Sequence, residues 1–225
     1  MDIIKELNIS SKFFYFGVGS LAKVTIFRTL AHKNLNEGDR ITAAISGYYS
    51  LFHLGMSLMY FCHDKLFCDQ RDRIIREIEN RNGCDPSDTI SHRMVNNFLK
   101  QCVAKGLENY CLTIFEKGLE LRNYVNYAPR MDIKNDYPKF GDCKIVIEDL
   151  DGFISNLDDT IFKMIAWAHG NSTIERTSFS KIAVEQIPQF FENEDLFYLK
   201  WCNPEVINNS KIFLEKIMKQ SKDFH

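Results

Sequence analysis

The sequence predicts an all-α protein: an antiparallel four- to five-helix bundle that carries a C-terminal helical extension. Apolar residues recur at the spacing of helix faces along most of the chain. Cap and stop residues flank these stretches, and the connections between them are short. The chain has 225 residues, of which 45% are hydrophobic and 26% are charged. This composition suffices for one globular domain with an appendage.

Cap and stop residues set the expected helix boundaries. Gly38 ends a first helix, and Asp39 can cap the long central helix that follows. Ser91 opens a later helix that ends before Gly106, and Gly170 closes another. These signals predict helices over residues 20–36, about 40–66, 70–81, 91–105, 108–128 and about 149–169, with either a short strand or an extended lid over 144–147.

The C-terminal part of the chain is interpreted as an appendage. Ser172 and Glu175 form a capping box for one helix. Asn203 and Pro204 then start a last helix that runs to about residue 221. We therefore divide the chain into an aromatic-rich N-terminal segment (1–19), a helical bundle (20–170) and a helical extension (171–225).

Composition excludes several classes of protein. The formal net charge of −2 provides no bulk electrostatic basis for non-specific DNA binding. The seven cysteines are odd in number and form no CxxC pair, which is typical of reduced thiols in a cytoplasmic chain. Their spacing relative to His63 and His92 matches no metal-knuckle pattern, so we expect no metal and no cofactor. The acidic N-terminus lacks the apolar core of a signal peptide.

The central helix raises the question of a membrane span. Residues 41–62 contain no Asp, Glu, Lys or Arg, and this length could cross a bilayer. Two adjacent tyrosines stand in mid-span, however, whereas Tyr prefers the membrane interface. A narrow polar stripe also runs along the helix at helical spacing. We therefore expect a buried bundle helix rather than a membrane span; the stripe consists of Thr42, Ser46, Ser50, His53 and Ser57.

Arg122 and Asn126 interrupt the apolar face of the helix predicted over 108–128. At about 100° per residue, both side chains fall inside the arc formed by the apolar residues of this helix. Arg is almost never fully buried without a partner. Arg122 must therefore meet a carboxylate, a subunit interface or a ligand such as phosphate. Pro129 should end the helix just beyond these side chains.

Three segments of the chain together carry a family resemblance. The central helix contains Gly-Tyr-Tyr-Ser-Leu-Phe-His-Leu (47–54), and a later helix contains Glu-Leu-Arg-Asn-Tyr-Val-Asn-Tyr-Ala-Pro (120–129). His92 opens the helix between them. In order and separation these segments resemble the HEPN (higher-eukaryote and prokaryote nucleotide-binding) family over roughly residues 20–170. The resemblance implies a four- to five-helix bundle that forms a homodimer and takes part in toxin–antitoxin or antiviral defence systems.

The resemblance implies function by two routes, because some family members are ribonucleases and others are inactive relatives that bind nucleotides, RNA or a partner protein. Many HEPN proteins are metal-independent ribonucleases, in which an Arg is followed, after four to six residues, by a His. In this chain Arg122 is present, but Tyr127 stands at the first of those positions. Tyr has an ordinary pKa near 10 and is a poor base at neutral pH. Together with Asn123 and Asn126, the Arg122 and Tyr127 pair is thus better suited to holding a phosphate than to cutting one.

Three functions follow as hypotheses. The first is a binding or regulatory module that is not an enzyme. It recognises RNA, a nucleotide or a partner protein such as a nucleotidyltransferase, and we expect no contact with a membrane. The second is a metal-independent endoribonuclease that uses Arg122 with Tyr127 or His53, since His titrates near neutral pH. The third is a structural subunit in which Arg122 forms a buried ion pair with an acid such as Asp64 or Asp158.

Overall fold

The computed structural model of the protein describes residues 11–61, 90–127, 149–171 and 203–222. These residues form seven helices and no strand, so the all-α prediction is confirmed for this part of the chain. The helices are α1 (Ser11–Asn36), α2 (Arg40–Phe61), α3 (His92–Ala104), α4 (Asn109–Tyr127), α5 (149–155), α6 (Leu157–Asn171) and α7 (Pro204–Lys222).

The predicted caps are confirmed where the structure describes them. Gly38 ends the α1 turn with a φ of 83°, a conformation that glycine adopts without steric cost. Asp39 accepts a hydrogen bond from the Thr42 backbone N–H at 3.0 Å. Ser91 and Asn203 cap α3 and α7 in the same way, at 3.3 Å and 2.9 Å. These capped starts fix where α2, α3 and α7 begin.

Two predicted boundaries are wrong. The first helix begins at Ser11 rather than at residue 20, and α6 runs through Gly170 to Asn171 instead of stopping there. A turn at Asn156 also divides the predicted 149–169 helix into α5 and α6, although the Asn156 N–H still bonds to the Gly152 carbonyl at 3.2 Å. The elements predicted over 62–66, 70–81, 144–147 and the capping-box helix after 172 lie outside the described residues.

Helices α1 and α2 pack antiparallel along the polar stripe of α2. Ser50 Oγ donates to the Val24 carbonyl at 3.0 Å, and Ser57 Oγ donates to the Gly17 carbonyl at 2.9 Å. The stripe therefore faces α1, whose backbone oxygens satisfy the buried hydroxyls. This contact explains how a helix with no charged residue after Arg40 can be buried along most of its length in a protein core. Of the helices described, none has the length and apolar character that a bilayer crossing requires.

Close helix approaches surround the ring of Phe153 in α5. A Cβ at Gly118 of α4 would lie 2.7 Å from two carbons of this ring, and a Cβ at Gly47 of α2 would meet the ring at the same distance. Both positions therefore require glycine, because any side chain would overlap the ring. The two free thiols of the described residues, Cys102 and Cys111, are buried in this core. The close packing of Gly47 and Gly118 on the Phe153 ring brings α2 and α4 together.

Arg28 of α1 links three helices on the other side of α1. Its Nε and Nη2 donate to the two carboxylate oxygens of Asp158 in α6, at 2.7 Å and 2.5 Å. Its guanidinium also lies over the ring of Phe213 in α7, 4.1 Å from the ring centroid. Asp158 was one of the acids expected to pair with Arg122. That expectation is wrong, because this carboxylate binds Arg28 and lies 3.2 Å from the Nε2 of His32.

The Asp158 carboxyl group is held in its ionised form. Burial by itself would raise its pKa, but hydrogen bonds from His32 and Arg28, together with the charge of Arg28, outweigh burial. The pKa of Asp158 is therefore far below its ordinary value of 3.8. The folded state stabilises the ionised carboxylate of Asp158 more than the unfolded chain does. The ion pair with Arg28 therefore stabilises the fold at pH values above the pKa that Asp158 has in the unfolded chain.

Replacing Gly118 by Ala should destabilise the protein, because the new methyl group has no space beside Phe153. We expect the free energy of unfolding to fall by about 1–3 kcal/mol. Gly152→Ala is the matched control, since a Cβ there meets nothing within 4 Å; it should leave stability unchanged or raise it by up to about 1 kcal/mol. Urea unfolding measures both variants. Equal effects of the two substitutions would contradict the close approach of α4 to Phe153.

Asp158→Asn should lower the free energy of unfolding by about 1–3 kcal/mol at pH 7, since it removes a part-buried charged acceptor of Arg28. The contribution of Asp158 is complete above about pH 4, the ordinary range of the unfolded carboxyl group. It is lost as the pH falls toward the lower pKa of the folded state. Unfolding curves from pH 7 to pH 2 should therefore converge for wild type and variant.

Asp151→Asn provides the control for this measurement. Asp151 is 51% exposed and lies 3.8 Å from Arg40, so its substitution should change stability by no more than about 0.5 kcal/mol. A constant difference between wild type and Asp158→Asn at every pH would show that the ion pair is not the source of the effect.

Candidate functional site

Arg122 of α4 lies against Tyr49 of α2 in a half-buried position. Its Nη2 donates to the Tyr49 hydroxyl at 3.2 Å, and its guanidinium carbon lies 5.8 Å from the centre of that ring. On the same helix, Arg122 Nη1 donates to the Asn123 side-chain oxygen at 3.1 Å. These contacts orient the planar guanidinium, the group that best matches phosphate and carboxylate oxygens.

His92 enters the same corner from the first residue of α3. Its Nδ1 lies 2.5 Å from the hydroxyl of Tyr48, the neighbour of Tyr49 on α2. Its ring centroid is 4.6 Å from that of Phe52, one helical turn further along α2. Capping by Ser91 sets the start of α3 and with it the position of the imidazole. Three helices thus supply one corner, which we call the Arg122 corner: Arg122, Tyr48, Tyr49 and His92.

Electrostatics couples the groups of the Arg122 corner. Burial lowers the pKa of His92 below its ordinary value of 6.5, and the positive charge of Arg122 lowers it further. The N-terminal end of α3 acts in the same direction, because its positive pole disfavours imidazolium. Burial raises the pKa of the Tyr48 phenol, with Arg122 opposing this effect. At neutral pH the corner therefore combines a permanent cation, the neutral imidazole of His92 and the protonated phenol of Tyr48.

His53 lies behind this corner, on the α1 side of α2. It is only 7% exposed, and its ring stacks on that of Phe27 at 5.3 Å and 12°. Its ring centroid is 6.3 Å from that of Tyr49, so Tyr49 lies next to both His53 and Arg122. His53 belongs to the polar stripe that faces α1, whereas an approach to the site would require the stripe to face α4.

Of the other residues predicted for the site, the structure describes the side chain of Asn123 but not those of Asn126 and Tyr127. Asn123 is exposed and contacts Arg122 directly. Asn126 and Tyr127 are the last two described residues of α4, and their side chains lie outside the described part, as does Pro129, which was predicted to end this helix. The described ranges contain no group of three or more His, Cys, Asp or Glu side chains placed to hold a metal ion.

Sequence reasoning underrated three residues of the corner. Tyr48 and Tyr49 entered as an argument against a membrane span and as part of the resemblance, and His92 as a helix-start residue and part of the resemblance, but neither tyrosine was predicted to belong to the site. A usable signal was present, because a buried Tyr hydroxyl usually needs a hydrogen-bond partner. Two adjacent tyrosines on a helix without charges therefore indicate polar partners on neighbouring helices. The identity of those partners depends on which helices pack there.

None of the protein-family models, curated proteins and solved structures compared with this chain matches it. The functional argument consequently rests on the geometry of the Arg122 corner and on the chemistry of its residues.

His92 should titrate below its ordinary pKa of 6.5, because burial and Arg122 both disfavour its charged form. Arg122→Gln should raise the pKa of His92 without restoring the ordinary value, since burial remains. Histidine NMR signals followed from pH 8 to pH 4.5 measure the midpoint. Arg40→Gln, which removes an exposed arginine on α2, is the control and should leave the midpoint unchanged. Identical midpoints in all three proteins would contradict the coupling of Arg122 to His92.

Proposed function

We propose that this protein is a HEPN-like binding or regulatory module of a prokaryotic defence or toxin–antitoxin-type system. It recognises a phosphate group of RNA or of a nucleotide at the Arg122 corner. One observation carries the proposal: the three segments that resemble HEPN proteins lie on α2, α3 and α4 and meet in space, with Arg122 bonded to Tyr49 and His92 beside Tyr48.

The chemistry of the corner favours an oxyanion as the ligand. The Arg122 guanidinium has several N–H donors in one plane, and two of them already bond to the Tyr49 and Asn123 oxygens that orient it. An oriented guanidinium loses less conformational entropy when it binds phosphate than a free one does. The half-buried rings of Tyr49 and His92 also offer surfaces on which a base can stack, which is a common means of RNA recognition.

The second candidate is a metal-independent endoribonuclease, and the observation that favours it is the neutral imidazole of His92 in the same corner. Cleavage through a 2′-hydroxyl needs a proton acceptor, a proton donor and a cation near the phosphate. Arg122 would supply the cation, and His92 would transfer protons in place of Tyr127 or His53. Binding ranks first because proton transfer needs a base and an acid in suitable positions, whereas holding a phosphate requires only the oriented cation.

A homodimer and a partner protein, for example a nucleotidyltransferase, belong to the proposal through the HEPN resemblance. Size-exclusion chromatography with light scattering gives the mass in solution and tests the dimer directly. A third reading, a purely structural subunit, is favoured if the folded protein binds no RNA, nucleotide or phosphate.

Arg122→Ala should weaken binding of a fluorescent single-stranded RNA, measured by anisotropy, by about 10- to 100-fold, because it removes a charge-assisted hydrogen-bonding group. Arg122→Lys keeps the positive charge but loses the planar guanidinium, so its affinity for the RNA should lie between those of the wild type and Arg122→Ala. Arg40→Ala is the matched control, since it removes the same single positive charge from an exposed position outside the Arg122 corner. Equal losses in Arg122→Ala and Arg40→Ala would mean that binding depends on bulk charge, which contradicts the proposed site.

The same proteins, incubated with total cellular RNA and transfer RNA in EDTA, separate binding from cutting. Cleavage that disappears in Arg122→Ala and His92→Gln but persists in Arg40→Ala and Tyr127→Phe would establish the ribonuclease. Binding without cleavage by the wild-type protein would support the binding module.

A further inference from the structure

A part-buried hydrogen bond within the Arg122 corner joins Tyr48 and His92. Tyr48 is fully buried, with 0% of its surface exposed, and its hydroxyl lies 2.5 Å from the Nδ1 of His92. No other hydrogen-bond partner of this hydroxyl occurs among the described residues. The direction of this one bond therefore decides where the imidazole carries its proton.

We propose that Tyr48 is a positioning residue of the Arg122 corner: its hydroxyl donates to Nδ1 of His92 and so holds the imidazole in the neutral tautomer with its proton on Nε2. The ring nitrogen left to a ligand is then an N–H donor. This inference rests on the proposed function, since it says which ligand group the corner prefers.

The direction of the bond follows from the burial of the phenol. Burial raises the pKa of Tyr48 well above its ordinary value of 10.0, so the phenol keeps its proton. A protonated buried hydroxyl needs an acceptor, and Nδ1 of a neutral imidazole supplies one lone pair. If Nδ1 carried the proton instead, it would donate to the Tyr48 oxygen, and the phenol proton would have no acceptor among the described residues.

Aromatic rings restrict the imidazole to this orientation. The ring centroids of Phe52, Tyr48 and Tyr49 lie 4.6 Å, 5.4 Å and 6.4 Å from that of His92. The backbone of His92 is also fixed, because Ser91 caps α3 immediately before it. Among the described residues Nε2 makes no hydrogen bond, so this nitrogen remains for a ligand.

The tautomer specifies the chemical class of the ligand group. Arg122 presents guanidinium N–H donors, and His92 presents an Nε2–H donor, so both of these side chains offer donors to a ligand. The matching group is an oxyanion that accepts hydrogen bonds, such as a phosphodiester or phosphomonoester oxygen. An imidazole with its proton on Nε2 cannot accept a proton at that nitrogen. The tautomer thus favours phosphate binding over a role for His92 as the base of a ribonuclease.

Long-range ¹H–¹⁵N NMR of the full chain labelled on histidine tests the assignment directly. At pH 7.5 the wild-type spectrum should show His92 as one neutral form with a protonated Nε2 and an unprotonated Nδ1. Tyr48→Phe keeps the ring but removes the hydroxyl, and the spectrum should then show exchange between both tautomers. Tyr110→Phe removes a hydroxyl from the start of α4, where the Tyr110 ring contacts Lys163, and it should leave the His92 signals unchanged.

Inorganic phosphate is the probe for the ligand step. Titration of the wild type should shift the Nε2–H signal of His92, and Tyr48→Phe should bind phosphate about three- to tenfold more weakly, the loss expected for one indirect hydrogen bond. A wild-type proton on Nδ1 overturns the proposal even if Tyr48→Phe fails to fold, and so does an unchanged His92 spectrum in a folded Tyr48→Phe. A correct tautomer without any phosphate or RNA binding supports the role of Tyr48 and refutes the proposed function, so the two failures are distinguishable.

Discussion

The rest of the structure depends on one constraint: α2 has no charged side chain after Arg40 and is buried along most of its length, so its polar groups must find partners inside the protein. Carbonyl oxygens of α1 satisfy Ser50 and Ser57. On another side of α2, the hydroxyls of Tyr48 and Tyr49 meet His92 and Arg122. The same requirement that holds the helices together therefore also draws an imidazole and a guanidinium into one corner.

Arg28 and Arg122, which both lie between helices, illustrate different uses of the same side chain. Arg28 binds a carboxylate through two hydrogen bonds and covers the ring of Phe213, so it ties α1 to α6 and α7. Arg122 is oriented by a phenol and an amide oxygen in a corner shared with His92. The first arrangement is that of a structural ion pair, in which the opposite charge is supplied by the fold. The second places the guanidinium against a phenol, an amide oxygen and a neutral imidazole, and the proposed function uses this orientation to bind a phosphate.

The proton of His92 connects the fold to the choice between binding and cutting. A ribonuclease needs a group that can accept a proton from the 2′-hydroxyl, whereas a phosphate-binding module needs donors. Tyr48 influences that choice from a position that a ligand does not reach, because it is fully buried beneath the imidazole. A single hydroxyl on the central helix can therefore bias the chemistry of a site formed largely by other helices.

The sequence by itself determined the helical class, the caps at Asp39, Ser91 and Asn203, and the need of Arg122 for polar partners, because these depend on local periodicity and on the cost of burying a charge. Only the tertiary structure decided that Asp158 pairs with Arg28, that the polar stripe faces α1, and that Tyr48 and Tyr49 meet His92 and Arg122. Such pairings depend on which helix faces touch across long stretches of chain, and a side chain's own spacing carries no information about its distant partner. The continuation of α6 through Gly170 was also not predictable, because a glycine inside a helix is tolerated at a cost of about 1 kcal/mol.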